Sequence, residues 1–136
     1  MKSVTAAALV GSVAIFVLVA PQVAAGKTVW YAGSWGFHWY AEAAGARPLG
    51  ADPDGPRPGD YIVYSAYRAA AVGEEHYGRR VDSVVDSGPG GRVMDRGAGA
   101  GFYTEGYGYL PWSWGTGEVD HYELWKIARP PLRDRR

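Results

Sequence analysis

Glycine and proline interrupt this chain so often after Lys27 that only short helices and strands fit between them. The 136 residues include 20 glycines and 9 prolines. The first apolar run, 28–32, is dominated by β-branched and aromatic residues, which favour a strand. The same reasoning predicts further strands over 60–65, 81–87, 92–94 and 120–127.

One helix is predicted between the first two strands. Gly33 and Ser34 form a turn in which the serine can cap a helix, and Gly45 can end it, so the helix spans 35–44. Both sides of this helix are apolar, and we expect both to be covered. The backbone N–H groups at Gly33 and Ser34 are a candidate anion site, although every strand-to-helix junction exposes such N–H groups. The proline-rich loop 47–59 then leads to the second strand, which completes a βαβ unit with parallel strands.

The predicted fold class is therefore α/β. We expect a small sheet of about four to five strands that starts with the βαβ unit and is preceded by one N-terminal apolar helix. In the last strand, Tyr122 and Leu124 should face one side of the sheet, and Glu123 and Trp125 the other. No regular structure is predicted for 97–114.

The N-terminal segment is uncharged from Ser3 to Gly26 and almost wholly apolar from Val4 to Ala20. It is interpreted as a secretory signal peptide cleaved near 23–25, as a single membrane span, or as a buried core helix. The first two interpretations place the rest of the chain on the outer face of the cytoplasmic membrane, in the periplasm or in the secreted fraction. The expected organisation is a signal peptide or transmembrane segment at 1–26, an extracytoplasmic domain at 27–129 and a basic, disordered tail at 130–136.

Composition excludes several functional classes. Lysine plus arginine and aspartate plus glutamate each number 14, so the formal net charge is zero and no nucleic-acid partner is expected. Without cysteine, the chain has no disulfide, no thiolate metal site and no thiol nucleophile. The glycine-rich stretch 97–103 lacks the spacing and the lysine of a phosphate-binding loop, so no nucleotide cofactor is expected.

The sequence contains no recognisable catalytic set. His38, His76 and His121 are scattered and have no metal-ligand spacing. No nucleophile elbow surrounds a serine. A small hydrolase that uses Glu74 or Asp82 is kept as a functional alternative, although solvated surface charge is the simpler explanation of these acids. We therefore expect no catalytic residue, no metal and no cofactor.

Aromatic residues are better candidates for binding. Trp112 and Trp114 stand two residues apart in an expected loop, where indole rings can stack on a sugar or lie at a membrane interface. Packing over a sheet edge is the structural alternative for both. Trp35 and His38, in the aromatic helix, are further candidates for carbohydrate or partner binding.

Three ordered motifs carry a resemblance to a known family. They are "VWYAGSWGFHWYAEAAGARPL" from Val29, "RPGDYIVYS" from Arg57 and "GAGFYTEGYGYLPWSWG" from Gly99. In this order they resemble the C-terminal extracytoplasmic region of bacterial multi-span glycosyltransferases that use polyprenyl-phosphate-linked sugars. That superfamily includes the protein O-mannosyltransferases and the aminoarabinose transferases. The matched positions are Gly33, Trp35, Gly36, Phe37, Tyr40, Pro58, Gly59, Asp60, Gly99, Gly101, Phe102, Tyr103, Gly108, Leu110, Pro111 and Trp112.

The resemblance implies a non-catalytic accessory domain, because in that family the catalytic acid and the lipid-sugar site belong to the transmembrane part and its first outer loop. The expected function is to assist sugar transfer from a polyprenyl-phosphate donor in the cell envelope. Expected partners are a multi-span glycosyltransferase, a glycan or a lipid-linked sugar, and the membrane through the N-terminal segment. The connection from Ala20 to the first strand is shorter than the family resemblance implies, so the chain is either a stand-alone relative or a fragment of such an enzyme. The alternative function is a free-standing carbohydrate-binding module of the envelope.

Overall fold

The fold combines two helices with a mixed sheet and two small strand pairs, in the computed structural model that describes residues 12–33, 36–50, 52–65, 78–87, 89–92, 94–95, 97–102 and 105–128. Within these residues the helices are α1 (Ser12–Ala24) and α2 (Gly36–Ala43). A short 3₁₀ helix spans Glu105–Tyr107. The strands are β1 (Val29–Ala32), β2 (Arg47–Pro48), β3 (Tyr61–Ser65), β4 (Gly78–Ser87), β5 (Gly90–Arg92), β6 (Met94–Asp95), β7 (Ala100–Gly101), β8 (Ser113–Gly115) and β9 (Glu118–Ile127).

The main sheet has five strands in the order β2-β1-β3-β9-β4. β1 pairs in parallel with β2 and β3, whereas β9 runs antiparallel to β3 and β4. The predicted βαβ unit is present as β1, α2 and β3, with Trp30 opposite Ile62 in the parallel pair. The predicted α/β class and the sheet of about four to five strands are therefore confirmed, although β2 and not the predicted strand at 92–94 supplies the fifth strand. β4 begins at Gly78, earlier than the predicted strand at 81–87.

Side chains alternate between the two faces of the sheet, as predicted for β9. Tyr122 and Leu124 belong to a core cluster that both helices share. On the opposite face, Trp125 packs against a second cluster. The buried members of that second cluster are Trp30, Ile62, Tyr64 and Ile127. One face of the sheet is thus covered by the helical layer, formed by α1 and α2, and the other carries an aromatic core.

Helix α1, the later part of the apolar N-terminal segment, packs on the sheet. Ile15, Leu18 and Val19 are fully buried in the same cluster as Val63 and Leu124. Burying each such side chain contributes about 1.5–3 kcal/mol to stability. Among the described residues, no helix has the length and apolar character needed to cross a bilayer. The interpretations of 1–26 as a signal peptide or as a membrane span stay predictions.

Helix α2 is covered on one side only, which corrects the expectation that both sides are covered. Phe37, Ala41 and Ala44 lie on the side that packs against the sheet, where the small alanines let the helix approach closely. Trp39 points the other way and is 70% exposed. Tyr40 is also exposed. The outer side of α2 therefore presents aromatic rings to solvent.

The glycine-rich part after β4 contains regular structure that the sequence did not predict. β5 pairs with β8, and β6 pairs with β7, both in antiparallel orientation. The predicted strand at 92–94 is divided between the end of β5 and the start of β6. These strands have no alternating pattern, and their pairing joins distant residues such as Gly90 and Gly115. β2 was also not predicted, because it lies within the segment 47–59 that was predicted as a loop. It stands at an edge of the sheet, where proline is tolerated.

Candidate functional site

The strongest candidate site is an exposed aromatic surface in the glycine-rich part of the chain. Tyr109 is 89% exposed and Trp114 is 70% exposed, and the other members are each more than half exposed. Large apolar side chains that are exposed together in one short segment commonly mark a binding site. We define the aromatic surface as Phe102, Tyr109, Leu110, Trp112 and Trp114.

Backbone contacts hold this surface in place. The N–H of Leu110 donates to the carbonyl of Gly99 at 3.0 Å, and the N–H of Gly101 donates to the carbonyl of Leu110 at 2.9 Å. Gly108 has a φ of 131° and lies against the backbone of Gly99, so a side chain there would collide with the Gly99 carbonyl. The two chain segments can therefore approach this closely only because position 108 is glycine.

Trp114 lies on β8, and Trp112 comes directly before this strand. Only Ser113 separates them, and residues two apart on an extended chain point the same way. Trp114 lies opposite Gly91 of β5. A Cβ atom built at Gly90 or Gly91 would meet no atom within 4 Å. Trp114 thus lies beside the part of β5 that carries no side chains, which leaves room for a flat ligand.

Charged groups on the other side of β8 fix its position. The Arg92 guanidinium, which is buried, donates to Asp95 at 3.3 Å and to the carbonyl of Gly117 at 2.7 Å. Ser113 donates to the same Asp95 carboxylate at 3.5 Å. The backbone N–H of Ala98 lowers the pKa of Asp95, and Arg92 lowers it further. These contacts join β5, β6 and β8 beneath the aromatic surface.

A second cluster of polar groups surrounds Glu123 on the aromatic-core face of the sheet. Its carboxylate accepts hydrogen bonds from the indole N–H of Trp125 at 2.8 Å, from Arg80 at 2.9 Å and from the hydroxyl of Tyr64 at 3.3 Å. His121 Nε2 lies 3.5 Å from the same carboxylate. Burial raises the pKa of Glu123, but the Trp125 and Arg80 hydrogen bonds and the His121 ring outweigh it, so the pKa is lowered.

Sequence reasoning missed the Glu123 cluster because its members come from β3, β4 and β9, which are far apart in the chain. The one available signal was the alternation of β9, which places Glu123 and Trp125 on the same face. Both oxygens of the Glu123 carboxylate accept hydrogen bonds from other side chains of the protein. The arrangement therefore stabilises the sheet and offers no free acid to a substrate.

No family model, curated protein or solved structure matches this chain. The resemblance to the glycosyltransferase region therefore stays a prediction that rests on the three motifs.

The sequence-predicted candidates fall in different places. Trp112 and Trp114 lie together at β8 and are exposed. His38 lies on α2, partly buried, with its ring 5.6 Å from that of Trp39. Gly33 precedes α2, close to the Phe37 ring. Ser34 and Trp35 lie outside the described residues.

The remaining acidic and metal candidates give no further site. Asp82 is exposed on β4, whereas Glu74 and His76 lie outside the described residues. No group of three or more metal-ligating side chains occurs among the residues that the structure describes. The basic tail at 130–136 also lies outside them.

Proposed function

We propose that this chain is a non-catalytic accessory domain of the cell envelope and that its aromatic surface binds glycan. The observation that carries the proposal is the exposure of Trp114 on β8 and of Trp112 just before it, with Tyr109, Leu110 and Phe102 also exposed in the same segment. The domain lies outside the cytoplasm in this proposal.

Stacking of sugar rings on indole rings is the physical basis of this recognition. A pyranose ring has a flat, weakly polar C–H face that can cover an indole, while its hydroxyl groups stay in water or find polar partners. The members of the aromatic surface carry no charge, which favours a neutral ring over an ion. The open strand of Gly90 and Gly91 beside Trp114 leaves space for such a ligand.

The family resemblance supplies the biological context of the proposal. It supports a role in assisting a multi-span glycosyltransferase that uses a polyprenyl-phosphate sugar, with the bound ligand being the glycan acceptor or the lipid-linked sugar. Leu110 and Trp112, which belong to the third motif, are members of the aromatic surface.

The glycan experiment compares two exposed tryptophan sites of equal accessibility. Purified full-length protein is tested for retardation by envelope polysaccharides in affinity electrophoresis. The Trp112→Ala/Trp114→Ala double variant should bind glycan at least about tenfold more weakly than the wild type, because two stacking rings are lost. Trp39→Ala is the matched control, since Trp39 is 70% exposed like Trp114 but belongs to α2. Its glycan binding should equal that of the wild type.

Three results would contradict the proposal. Wild-type protein that binds no glycan would remove the binding role. Equal losses in the Trp39→Ala variant and the double variant would place binding elsewhere. Sugar transfer from a lipid carrier by the purified protein alone would show that the domain is catalytic.

A free-standing carbohydrate-binding module is the second candidate, since the whole aromatic surface is built from this chain's own strands and turns. The DNA upstream of the Met1 codon separates the two functions. An adjoining reading frame with many apolar spans favours the accessory role or a fragment of an enzyme, whereas its absence favours the module.

A further inference from the structure

Helix α1 is apolar on its inner and outer sides apart from Ser12 and Gln22, but it is covered on one side only. None of its 13 residues is charged. Ile15, Leu18 and Val19 face the sheet and are buried, whereas Phe16 is 39% and Val17 45% exposed. A helix that is apolar on all sides normally has an apolar environment on all sides. The outward side of α1 therefore lacks the environment that its composition suits.

Helix α2, the other helix of the helical layer, also exposes aromatic rings. α1 packs against α2 in the helical layer. Trp39 and Tyr40 are exposed on α2, and the charged residue of this helix, Glu42, accepts a hydrogen bond from Tyr31 of the sheet at 2.8 Å. We define the outer helical face as Phe16, Val17, Pro21, Ala24, Trp39 and Tyr40.

The chain that precedes α1 indicates what covers the outer helical face. Residues 3–11 carry no charge and lead directly into α1, so the apolar character continues beyond the face itself. Lys2 and Lys27 flank the uncharged segment at its two ends. An apolar stretch with tryptophan and tyrosine beside it and lysine at its ends matches the interfacial region of a bilayer, where aromatic rings and cations lie near the headgroups.

We propose that the outer helical face lies flat on a lipid bilayer, with α1 parallel to the membrane surface and inserted to the depth of its exposed side chains. α1 thus serves two environments, because its inner side holds the sheet and its outer side contacts lipid. The inference rests on the proposed membrane location of the domain and not on glycan binding. Vesicle binding and glycan binding are measured separately, so that either proposal can fail without the other.

Vesicle flotation tests this surface. Full-length protein is mixed with preformed vesicles of phosphatidylcholine, or of phosphatidylcholine with phosphatidylglycerol, and the floating fraction is measured. The wild type should float with the vesicles, and a membrane-impermeant amine reagent should label both Lys2 and Lys27, which flank the uncharged segment. The Phe16→Glu/Val17→Glu variant should partition at least about tenfold less, because two apolar side chains no longer enter the interface.

Further variants locate the contact. Trp39→Ala should also weaken flotation, by a smaller factor. Val81→Glu is the matched control. The exposed fraction of Val81, 40%, is similar to the 45% of Val17, but Val81 lies on the edge strand β4. It should float like the wild type. Thermal melts of all variants should stay near that of the wild type, since each changed side chain is solvent-exposed.

Five outcomes would overturn the inference. A wild type that stays unbound with both vesicle types would remove lipid as the partner. Flotation that survives Phe16→Glu/Val17→Glu, or that is lost only in Trp112→Ala/Trp114→Ala, would place the lipid contact on another surface. Protection of Lys2 or Lys27 from the amine reagent would show a membrane span. Self-association without vesicles that Phe16→Glu/Val17→Glu abolishes would show that a second copy covers this face.

Discussion

Glu123 is a buried carboxylate whose charge the fold stabilises. It is 5% exposed in the middle of β9 and accepts hydrogen bonds from Trp125, Arg80 and Tyr64. A buried acid with no such donors would be neutral at neutral pH. Here the donors from three strands hold the pKa of Glu123 below its usual value of 4.5. The charge therefore contributes to the stability of the sheet above that pH.

Replacing Glu123 should change the acid limb of the stability curve. Because the folded pKa is lowered, the stabilisation is present above pH 4.5 and is lost as the pH falls through the folded pKa. Glu123→Gln should lower the free energy of unfolding at pH 7 by about 1–3 kcal/mol and make the decline below pH 4.5 shallower. Urea unfolding measured between pH 7 and pH 2 tests this prediction.

Glu105→Gln makes the same chemical change at an exposed position and should leave the curve close to that of the wild type. Asp95, whose pKa is also lowered, remains in both variants and should preserve part of the acid sensitivity. A Glu123→Gln variant as stable at pH 7 as the wild type, with the same acid slope, would contradict a stabilising charge at this position.

At the scale of secondary-structure elements, α1 matters most because it is the helix of the helical layer that packs against four strands of the sheet. Its inner side shares one cluster with residues of β1, β3, β4 and β9. Gly45, which follows α2, lies so close to Val23 of α1 that a Cβ there would stand 3.0 Å from a methyl group. Cleavage after Ala25 would take this helix away and leave Val63 and Leu124 without their apolar cover.

Paired alanine substitutions measure how much α1 contributes. Leu18 is 1% exposed, so Leu18→Ala should lower the free energy of unfolding by about 2–5 kcal/mol through lost burial and the cavity left behind. Val17 is 45% exposed on the opposite side, and Val17→Ala should change it by less than about 0.5 kcal/mol in the absence of lipid. Chemical denaturation of both variants checks the difference, and equal effects would contradict the packing of α1 on the sheet.

At the scale of the whole molecule, Tyr31 connects the two layers of the fold. Its ring contacts Phe37 of α2 in an edge-to-face arrangement, and its hydroxyl donates to Glu42 at 2.8 Å. Burial, the hydrogen bond to Glu42 and the charge of that carboxylate together raise the pKa of Tyr31 from 10.0 to about 12. The folded protein therefore favours the neutral form of Tyr31.

Alkaline pH should separate the layers through this residue. With a folded pKa above the usual 10.0, the stabilisation is complete below pH 10 and is lost as the pH rises toward 12. The loss amounts to about 2–3 kcal/mol at the upper end of this range. Tyr31→Phe should abolish this component of the alkaline decline, whereas Tyr109→Phe, at an exposed position, should keep it. Thermal melts between pH 8 and pH 12 provide the comparison, and indistinguishable alkaline curves for the wild type and Tyr31→Phe would contradict it.

Local sequence patterns determined the βαβ unit and which side chains of β9 share a face of the sheet. The β-branched and aromatic residues of 28–32, the glycines around α2 and the alternation of β9 act between near neighbours, so they can be read without the rest of the chain. For Trp112 and Trp114 the local pattern left two alternatives, a binding loop or packing over a sheet edge, and only the structure shows that both side chains are exposed. The prediction that the Trp39 side of α2 is covered was wrong. An apolar pattern shows that one side of a helix is apolar, but it does not show whether another element packs against that side.

Tertiary structure alone decided the contacts that join distant residues. The pairing of β4 with β9, the short strands around the aromatic surface and the donors that meet at Glu123 all depend on chain segments that come together only in the folded state. The same holds for α1, since its apolar sequence favours a leader or a membrane span over a core helix. Its burial against Val63 and Leu124 depends on a sheet that the apolar segment itself does not encode.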